Sequence, residues 1–205
     1  MTSLRSRKCV LLVHGLNDTR AIFQTMALSL IKLGWSVYDF DLLPSNGELP
    51  LDKLAQQVAD YVDVTFAPEQ KLSVIGFSMG GIVSRYYIQR LGGIERVENF
   101  ISIASPHQGT WVAHLFQSPG CVQMRPNSAF LQDLARDVEM LAQLNLTSIW
   151  TPYDLIIVPA NSSELPVGKN IQLPVLRHDW MVTDARCLAV VAEALGNNQR
   201  SPIWA

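Results

Sequence analysis

The chain has 205 residues, of which 48% are hydrophobic and 17% charged, a composition typical of a globular protein with one sizeable hydrophobic core. Lys and Arg total 16 against 18 for Asp and Glu, so the net charge is -2 and no basic field is available to attract nucleic acid. The cysteines Cys9, Cys121 and Cys187 share no close spacing, which favours reduced thiols over a disulfide framework or a zinc site.

The N-terminal segment MTSLRSRKCVLLVHG carries basic residues and then a short apolar run that stops at His14. This run is shorter than the apolar region of a secretory signal and far shorter than the roughly 20 residues of a membrane span. We therefore expect a soluble, cytoplasmic protein without stable insertion into a membrane.

Six short apolar segments have the β-branched composition of strands that are buried on both faces of a sheet. In chain order they are residues 9–13, 35–40, 71–76, 97–104, 147–151 and 170–175. Helical patterns cover residues 19–33, 51–66, 79–91, 128–144 and 184–195. Strands that alternate with helices predict an α/β fold, with about six mostly parallel strands and helices on both faces of the sheet. We expect a single domain over residues 1–205.

The interval 105–146 is too long for a simple loop between two strands. We expect it to form one or two helices, the clearest at 128–144, in a cap-like insertion at about 107–144. Parallel sheets carry their functional sites at the carboxyl ends of the strands. The insertion is therefore predicted to cover part of the functional site.

Gly76-Phe77-Ser78-Met79-Gly80 fits the pattern G-x-S-x-G and lies between a predicted strand and a predicted helix. Glycines let the strand and the helix approach closely around a serine that is held in strained backbone. The turn would present the serine hydroxyl above the sheet, beside the positive N-terminal end of the helix. A plain turn of small residues is the alternative, and the flanking strand and helix favour the nucleophile.

A serine nucleophile needs a base that is itself oriented by an acid, and in this architecture the chain order is Ser, then Asp or Glu, then His. His178 follows the last predicted strand and precedes the last predicted helix, which suits a base. His107 and His114 lie in the covering segment, where we expect a structural or substrate-lining role.

The acid should follow a strand between the serine and the histidine, and Asp154 lies just beyond the predicted strand 147–151. There it would hold the imidazole tautomer and stabilise the imidazolium that forms during attack. Other acids fit less well because they lie on a predicted helix, farther from a strand end or directly beside the base: Asp133, Asp137, Glu139, Glu164 and Asp179.

An oxyanion hole requires two backbone N–H groups that point at the developing negative charge. One would belong to Met79, directly after the nucleophile. The other would come from the loop after the first strand, where Gly15 permits close approach and Leu16 is the donor by position. His14 precedes the serine in the chain, and we expect it to brace this loop by hydrogen bonding.

Apolar residues in the covering segment are the candidates for substrate binding, with Trp111, Leu115 and Phe116 as the principal ones. Together with Val112, Met124 and Phe130 they would suit a fatty acyl chain. They are equally compatible with a small core that belongs to the segment itself, and both interpretations stay open.

The segments HGLNDT, GFSMGG, ASPHQGT, TPYDLIIVP and RHDWMVTD resemble, in order, signatures of α/β-hydrolase-fold lipases and esterases. From about residue 9 to 195 the chain is most similar to the small bacterial triacylglycerol lipase class. The resemblance implies a minimal α/β-hydrolase fold. It also implies the same site residues: Ser78 as nucleophile, Asp154 as acid, His178 as base, and Leu16 with Met79 at the oxyanion hole. Phe77 departs from the pattern, because many relatives have His there.

The function expected is hydrolysis of carboxylic esters through an acyl-enzyme intermediate. The substrate would be a small-molecule or lipid ester, and transient contact with a lipid surface is possible. No metal or cofactor is expected. An acyl-thioesterase or acyltransferase with the same triad is the first alternative, and rates on thioesters or transfer to an added alcohol would distinguish it. The second alternative is a non-enzymatic binding module, which a serine-directed fluorophosphonate would not label.

Overall fold

The computed structural model describes residues 8–196, and its six strands form one sheet in the order β2-β1-β3-β4-β5-β6. The strands are β1 Cys9–Val13, β2 Ser36–Asp39, β3 Leu72–Phe77, β4 Val97–Ile103, β5 Asn145–Trp150 and β6 Lys169–Gln172. Every neighbouring pair is parallel, so all six carboxyl ends lie at one edge of the sheet. The predicted α/β-hydrolase sheet is confirmed, and it is entirely rather than mostly parallel.

Six α-helices accompany the sheet within the described residues: α1 Gln24–Lys32, α2 Leu51–Thr65, α3 Met79–Arg90, α4 Pro119–Gln123, α5 Ala129–Arg136 and α6 Ala185–Ala194. Side-chain caps fix the starts of two of them, α5 and α6. The Ser128 hydroxyl accepts from the N–H of Leu131, and the Asp184 carboxylate accepts from the N–H of Arg186. None of these helices is long and apolar enough to cross a lipid bilayer.

Two hydrophobic layers hold the helices against opposite faces of the sheet. Along β1, Leu11 and Val13 point to the layer that contains α2 and α3, while Val10 and Leu12 point to the layer that contains α1 and α6. This alternation follows from the two-residue period of a strand. Burying each such side chain stabilises the fold by about 1.5–3 kcal/mol, which explains why the strands are apolar on both faces.

The covering segment between β4 and β5 contains α4, α5 and two 3₁₀ turns, Trp111–Leu115 and Val138–Gln143. The sequence pattern predicted one helix over 128–144, whereas the structure divides it after Arg136. The N–H of Gly120 donates to the carbonyl of Gly47 at 2.8 Å, which ties α4 to the loop before α2. The segment is therefore attached to the main body at its first helix.

Candidate active site

Ser78 occupies a strained turn between β3 and α3. Its φ of 54° and ψ of -124° are rare for a residue with a side chain, and such backbone strain costs about 1–3 kcal/mol. The N–H of Ser78 donates to the carbonyl of Ile103 at 2.8 Å, so the neighbouring strand holds the turn in position. Strain of this kind clusters at functional sites, as expected for a serine that is presented for chemistry.

The glycines of the motif are required by close packing. A methyl group on Gly80 would lie 2.1 Å from the carbonyl oxygen of Val13, and one on Gly76 would lie 2.5 Å from the Cα of Gly81. Both obstacles are backbone atoms, which cannot move without shifting β1 or α3. The start of α3 can therefore lie directly against the sheet only because these positions carry no side chain.

A short hydrogen bond joins His178 and Asp154, which lie after β6 and β5 respectively. The distance from His178 Nδ1 to Asp154 Oδ2 is 2.7 Å. The other carboxylate oxygen of Asp154 accepts from the N–H groups of Ile156 and Ile157, both at 2.9 Å. Because a carboxylate only accepts, Nδ1 carries the hydrogen, and the neutral form of the ring has its lone pair on Nε2. The imidazole is thus oriented as a general base requires.

Ser78 and His178 line the same cavity, which has a volume of about 340 Å³. Within residues 8–196, no hydrogen bond of 3.5 Å or less joins the Ser78 hydroxyl to the imidazole. Catalytic contacts of this type are often long in enzymes without substrate and shorten in the complex. The ring of Phe77 packs against that of His178 with centroids 4.8 Å apart, so the last residue of β3 supports the imidazole.

The loop after β1 lies directly against the serine. A methyl group on Gly15 would lie 3.0 Å from the Cβ of Ser78 and 3.4 Å from the carbonyl oxygen of Phe77. Leu16 lines the cavity, and Met79 is the first residue of α3, directly after the serine. Both predicted oxyanion donors therefore lie on the segments that meet at Ser78, and their role stays a prediction.

His14 braces this loop as expected. Its Nδ1 donates to the carbonyl of Gly15 at 3.0 Å, and its Nε2 accepts from the N–H of Leu42 at 2.9 Å. The ring is fully buried, and both of its nitrogens are used. His14 therefore serves to hold the loop in place, and neither nitrogen is free to act as a base.

The predicted substrate-binding residues separate into two groups. Phe116 lines the cavity, whereas Trp111 and Leu115 are absent from its wall and are 60% and 77% exposed. The tight 3₁₀ turn causes this, because it turns Val112 and Ala113 towards the cavity and leaves its two end residues outside. Trp111 and Leu115 therefore lie outside the wall of this cavity, and a role for them in substrate binding stays a prediction.

Other wall residues were not singled out in the sequence. Ile156 and Ile157 belong to the loop whose N–H groups hold Asp154, and this proximity to the acid could have indicated them. Asp18 also lines the cavity, on the same loop as Gly15 and Leu16. In the described part of the chain, no group of three or more His, Cys, Asp or Glu side chains is arranged to hold a metal ion.

A family model described as palmitoyl protein thioesterase matches residues 9–161. The chain belongs to the palmitoyl protein thioesterase family. The matched range extends from β1 past Asp154 and thus includes the strained serine and the acid, while His178 lies beyond it. Members of this family are enzymes of the α/β-hydrolase type, so the chain is a hydrolase of that superfamily.

Several solved structures share the fold of this thioesterase family member. Lipase B of Aspergillus fumigatus matches with a TM-score of 0.81 and 20% identity over 93% of this chain, which spans only 52% of that lipase. The mature lipase BlEst2 of Bacillus licheniformis matches with a TM-score of 0.76 and 15% identity over 93% of both chains. A membrane phospholipase A described as a bacterial virulence factor matches with a TM-score of 0.66 and 16% identity, over 94% of this chain and 80% of that one.

At these identities the solved structures establish the fold alone, and they confirm the predicted likeness to α/β-hydrolase lipases and esterases. The narrower likeness to the small bacterial triacylglycerol lipases has only loose support, because the family model that matches is that of a thioesterase family.

Proposed function

We propose that the protein hydrolyses carboxylic esters of apolar acids through an acyl-enzyme intermediate on Ser78. One observation carries the proposal: the 2.7 Å bond from His178 to Asp154 lies beside the strained Ser78, and the serine and histidine face one cavity. A base oriented by a carboxylate, next to a serine hydroxyl on a cavity wall, is the arrangement that activates a serine.

In the proposed reaction, Ser78 Oγ attacks the ester carbonyl while His178 Nε2 takes its proton. Asp154 stabilises the imidazolium, and the N–H groups of Leu16 and Met79 bind the oxyanion, each donor contributing about a hundred- to a thousandfold in rate. The imidazolium then gives its proton to the departing alcohol. Water attacks the acyl-enzyme with His178 again as base, which releases the acid and restores the serine hydroxyl.

The cavity wall supports an apolar acyl group. Phe116, Met124 and Ile156 are among its lining residues, together with Val112, Ala113 and Ile157. Its volume of about 340 Å³ lies within the range of small-molecule sites. Leu115, Tyr153 and Leu155 are exposed beside these residues in the chain, which favours transient contact with a lipid surface.

Acyl-thioester hydrolysis is the second candidate, and membership of the palmitoyl protein thioesterase family favours it. The same residues would act, with a thiol as leaving group in place of an alcohol. Acyl transfer is a variant of either reaction in which an added alcohol replaces water in the second half of the cycle.

The test compares oxygen esters and thioesters that share acyl groups of graded length, with and without an added alcohol. We expect hydrolysis of at least one series, with kcat/KM rising with acyl length until the cavity is filled. A fluorophosphonate should form one adduct, on the peptide that contains Ser78, as measured by mass spectrometry. Absence of both hydrolysis and labelling in folded protein would favour the binding-module alternative.

A further inference from the structure

The charged groups of the active-site cavity are of one sign. Its wall contains two carboxyl groups, Asp18 and Asp179, and none of the described residues that line it is Lys or Arg. Asp179 is neutralised by Arg177, whose guanidinium donates to both carboxylate oxygens at 3.0 Å. Within residues 8–196, the Asp18 carboxyl has no ion pair or hydrogen bond. Among the described residues that line the cavity, Asp18 is thus the acidic residue whose charge no ion pair neutralises.

Asp18 lies very close to the nucleophile. A methyl group placed on Gly15 would be 3.0 Å from Asp18 Oδ2 and 3.0 Å from the Cβ of Ser78, so these two atoms are separated by at most twice that distance. The backbone of Asp18 is held on both sides. Its N–H donates to the carbonyl of Gly15 at 3.4 Å, and its carbonyl accepts from the hydroxyl of Ser45 at 2.9 Å.

Asp18 lines the same cavity as Ser78 and His178, and it does not belong to the covering segment. Burial raises the pKa of its carboxyl above the ordinary value, His14 and His178 oppose this rise, and Asp179 adds to it. The leaving group must lie beside His178, because the imidazolium protonates it. The apolar residues that suit the acyl chain, such as Phe116 and Met124, come instead from the covering segment.

We propose that Asp18 is a specificity-determining residue that selects against substrates whose leaving group is negatively charged, and in favour of neutral or cationic alcohols and thiols. The inference rests on the proposed function. A carboxylate a few ångströms from an anionic leaving group, in a partly dehydrated cavity, lowers kcat/KM by about tenfold or more. Thioesters of phosphate-bearing carrier thiols would accordingly be poorer substrates than thioesters of neutral thiols.

The test uses two hexanoate esters, the para-nitrophenyl ester and the same ester with a carboxylate on the ring. For each protein the ratio of kcat/KM, neutral over anionic, is divided by the ratio of the hydroxide-catalysed rates. We expect wild type to prefer the neutral ester, and Asp18→Asn to reduce this preference by about tenfold. The double variant Arg177→Gln/Asp179→Asn should leave the ratio near that of wild type, because it removes a pair that has no net charge.

A second measurement needs no variant. As pH rises through the elevated pKa of Asp18, the carboxyl becomes charged, so the preference of wild type for the neutral ester should grow and then level off. The ratio for Asp18→Asn should stay constant over the same pH range. If that variant does not fold, Asp18→Ser replaces it.

The two possible failures are distinguishable. If wild type cleaves neither ester, the proposed function is wrong. If wild type cleaves both, but its corrected ratio is unchanged by pH and by substitution of Asp18, then the enzyme is an esterase and the inference about Asp18 is overturned.

Discussion

Within residues 8–196 two serine–histidine pairs can be compared, and the pair joined by a direct hydrogen bond contains the more deeply buried serine. Ser102 Oγ and His107 Nε2 lie 2.7 Å apart, whereas no such bond joins the described atoms of Ser78 and His178. Ser102 is 0% exposed, whereas Ser78 is 8% exposed and lines the cavity together with His178. A short contact between a hydroxyl and an imidazole therefore does not by itself identify a catalytic serine.

The two histidines, His178 and His107, also differ in their other hydrogen-bond partners. His178 donates to the carboxylate of Asp154, which stabilises an imidazolium. The backbone carbonyl of His107 instead accepts from the guanidinium of Arg85 at 3.3 Å. Burial, with a smaller contribution from Arg85, lowers the pKa of His107 well below its ordinary 6.5. That histidine is held neutral and is a poor proton acceptor.

Arg85, which binds the backbone of His107, connects the buried Ser102–His107 pair to other elements of the fold. Arg85 donates to the carbonyl of Leu134 at 2.7 Å and to Gln89 Oε1 at 2.7 Å. Leu134 lies in the last turn of α5, so this cation fastens the covering segment to α3. The Ser78–His178 pair faces the cavity, and the Ser102–His107 pair lies among the contacts that fasten the covering segment.

The largest expected effect is a loss of activity that distinguishes Ser78 from Ser102. Ser78→Ala should lower kcat/KM by about 10⁵-fold, because it removes the nucleophile. Ser102→Ala should retain kcat/KM within severalfold and lower the free energy of unfolding by about 1–3 kcal/mol, because it leaves a buried histidine nitrogen unpaired. Ester hydrolysis and chemical denaturation measure the two quantities. Equal losses of activity in both variants would remove the distinction.

The second prediction concerns Asp154, the proposed acid of the triad. Asp154→Asn should lower kcat by about 10³- to 10⁴-fold, because an amide no longer selects the productive imidazole tautomer. The matched control is Asp179→Asn, which alters the residue directly after His178 and should have a far smaller effect on hydrolysis of a neutral ester. Steady-state kinetics on one neutral ester compares them. A larger loss in the control would indicate the wrong acid.

Removal of the buried cation should affect stability more than chemistry. Arg85→Met retains a side chain similar to the aliphatic part of arginine but leaves buried acceptors unpaired, so the free energy of unfolding should fall by about 2–4 kcal/mol. Gln89→Met is the milder comparison, because Arg85 would still bind Leu134. Urea denaturation gives the stability, and kcat is measured well below the unfolding temperature. A variant of full stability without activity would instead assign Arg85 to the reaction.

The smallest effect is the dependence of stability on pH. The unfolded chain protonates His107 near 6.5, whereas the folded protein does so only at much lower pH. The unfolded state thus binds more protons below pH 6.5, and stability should fall with decreasing pH by up to about 1.4 kcal/mol per pH unit from this group. His107→Gln should lose this part of the slope, and His114→Gln, an exposed control, should keep it. Identical slopes in all three proteins would contradict a buried neutral His107.

Much of the fold could be predicted because its signals are local. β1 has its predicted bounds, and the glycines around Ser78 indicate a turn whose strain involves only adjacent residues. The order of Ser78, Asp154 and His178 sufficed to nominate the acid and base, since parallel strands bring their carboxyl ends to one edge. The helix predicted over 128–144 was only partly correct, because Asp137, where α5 ends, is bound by Arg90 and Gln89 of α3.

The sequence by itself determined the alternation of strands and helices, the turn at Ser78 and the chain order of the candidate triad, because each follows from periodicity, backbone sterics or topology. Only the tertiary structure decided that Phe116 lines the cavity while Trp111 and Leu115 do not. It alone also brought the carboxyl of Asp18 close to the serine. The wall and the charge of a cavity arise from side chains on separate segments, and their distances are fixed only when those segments pack together.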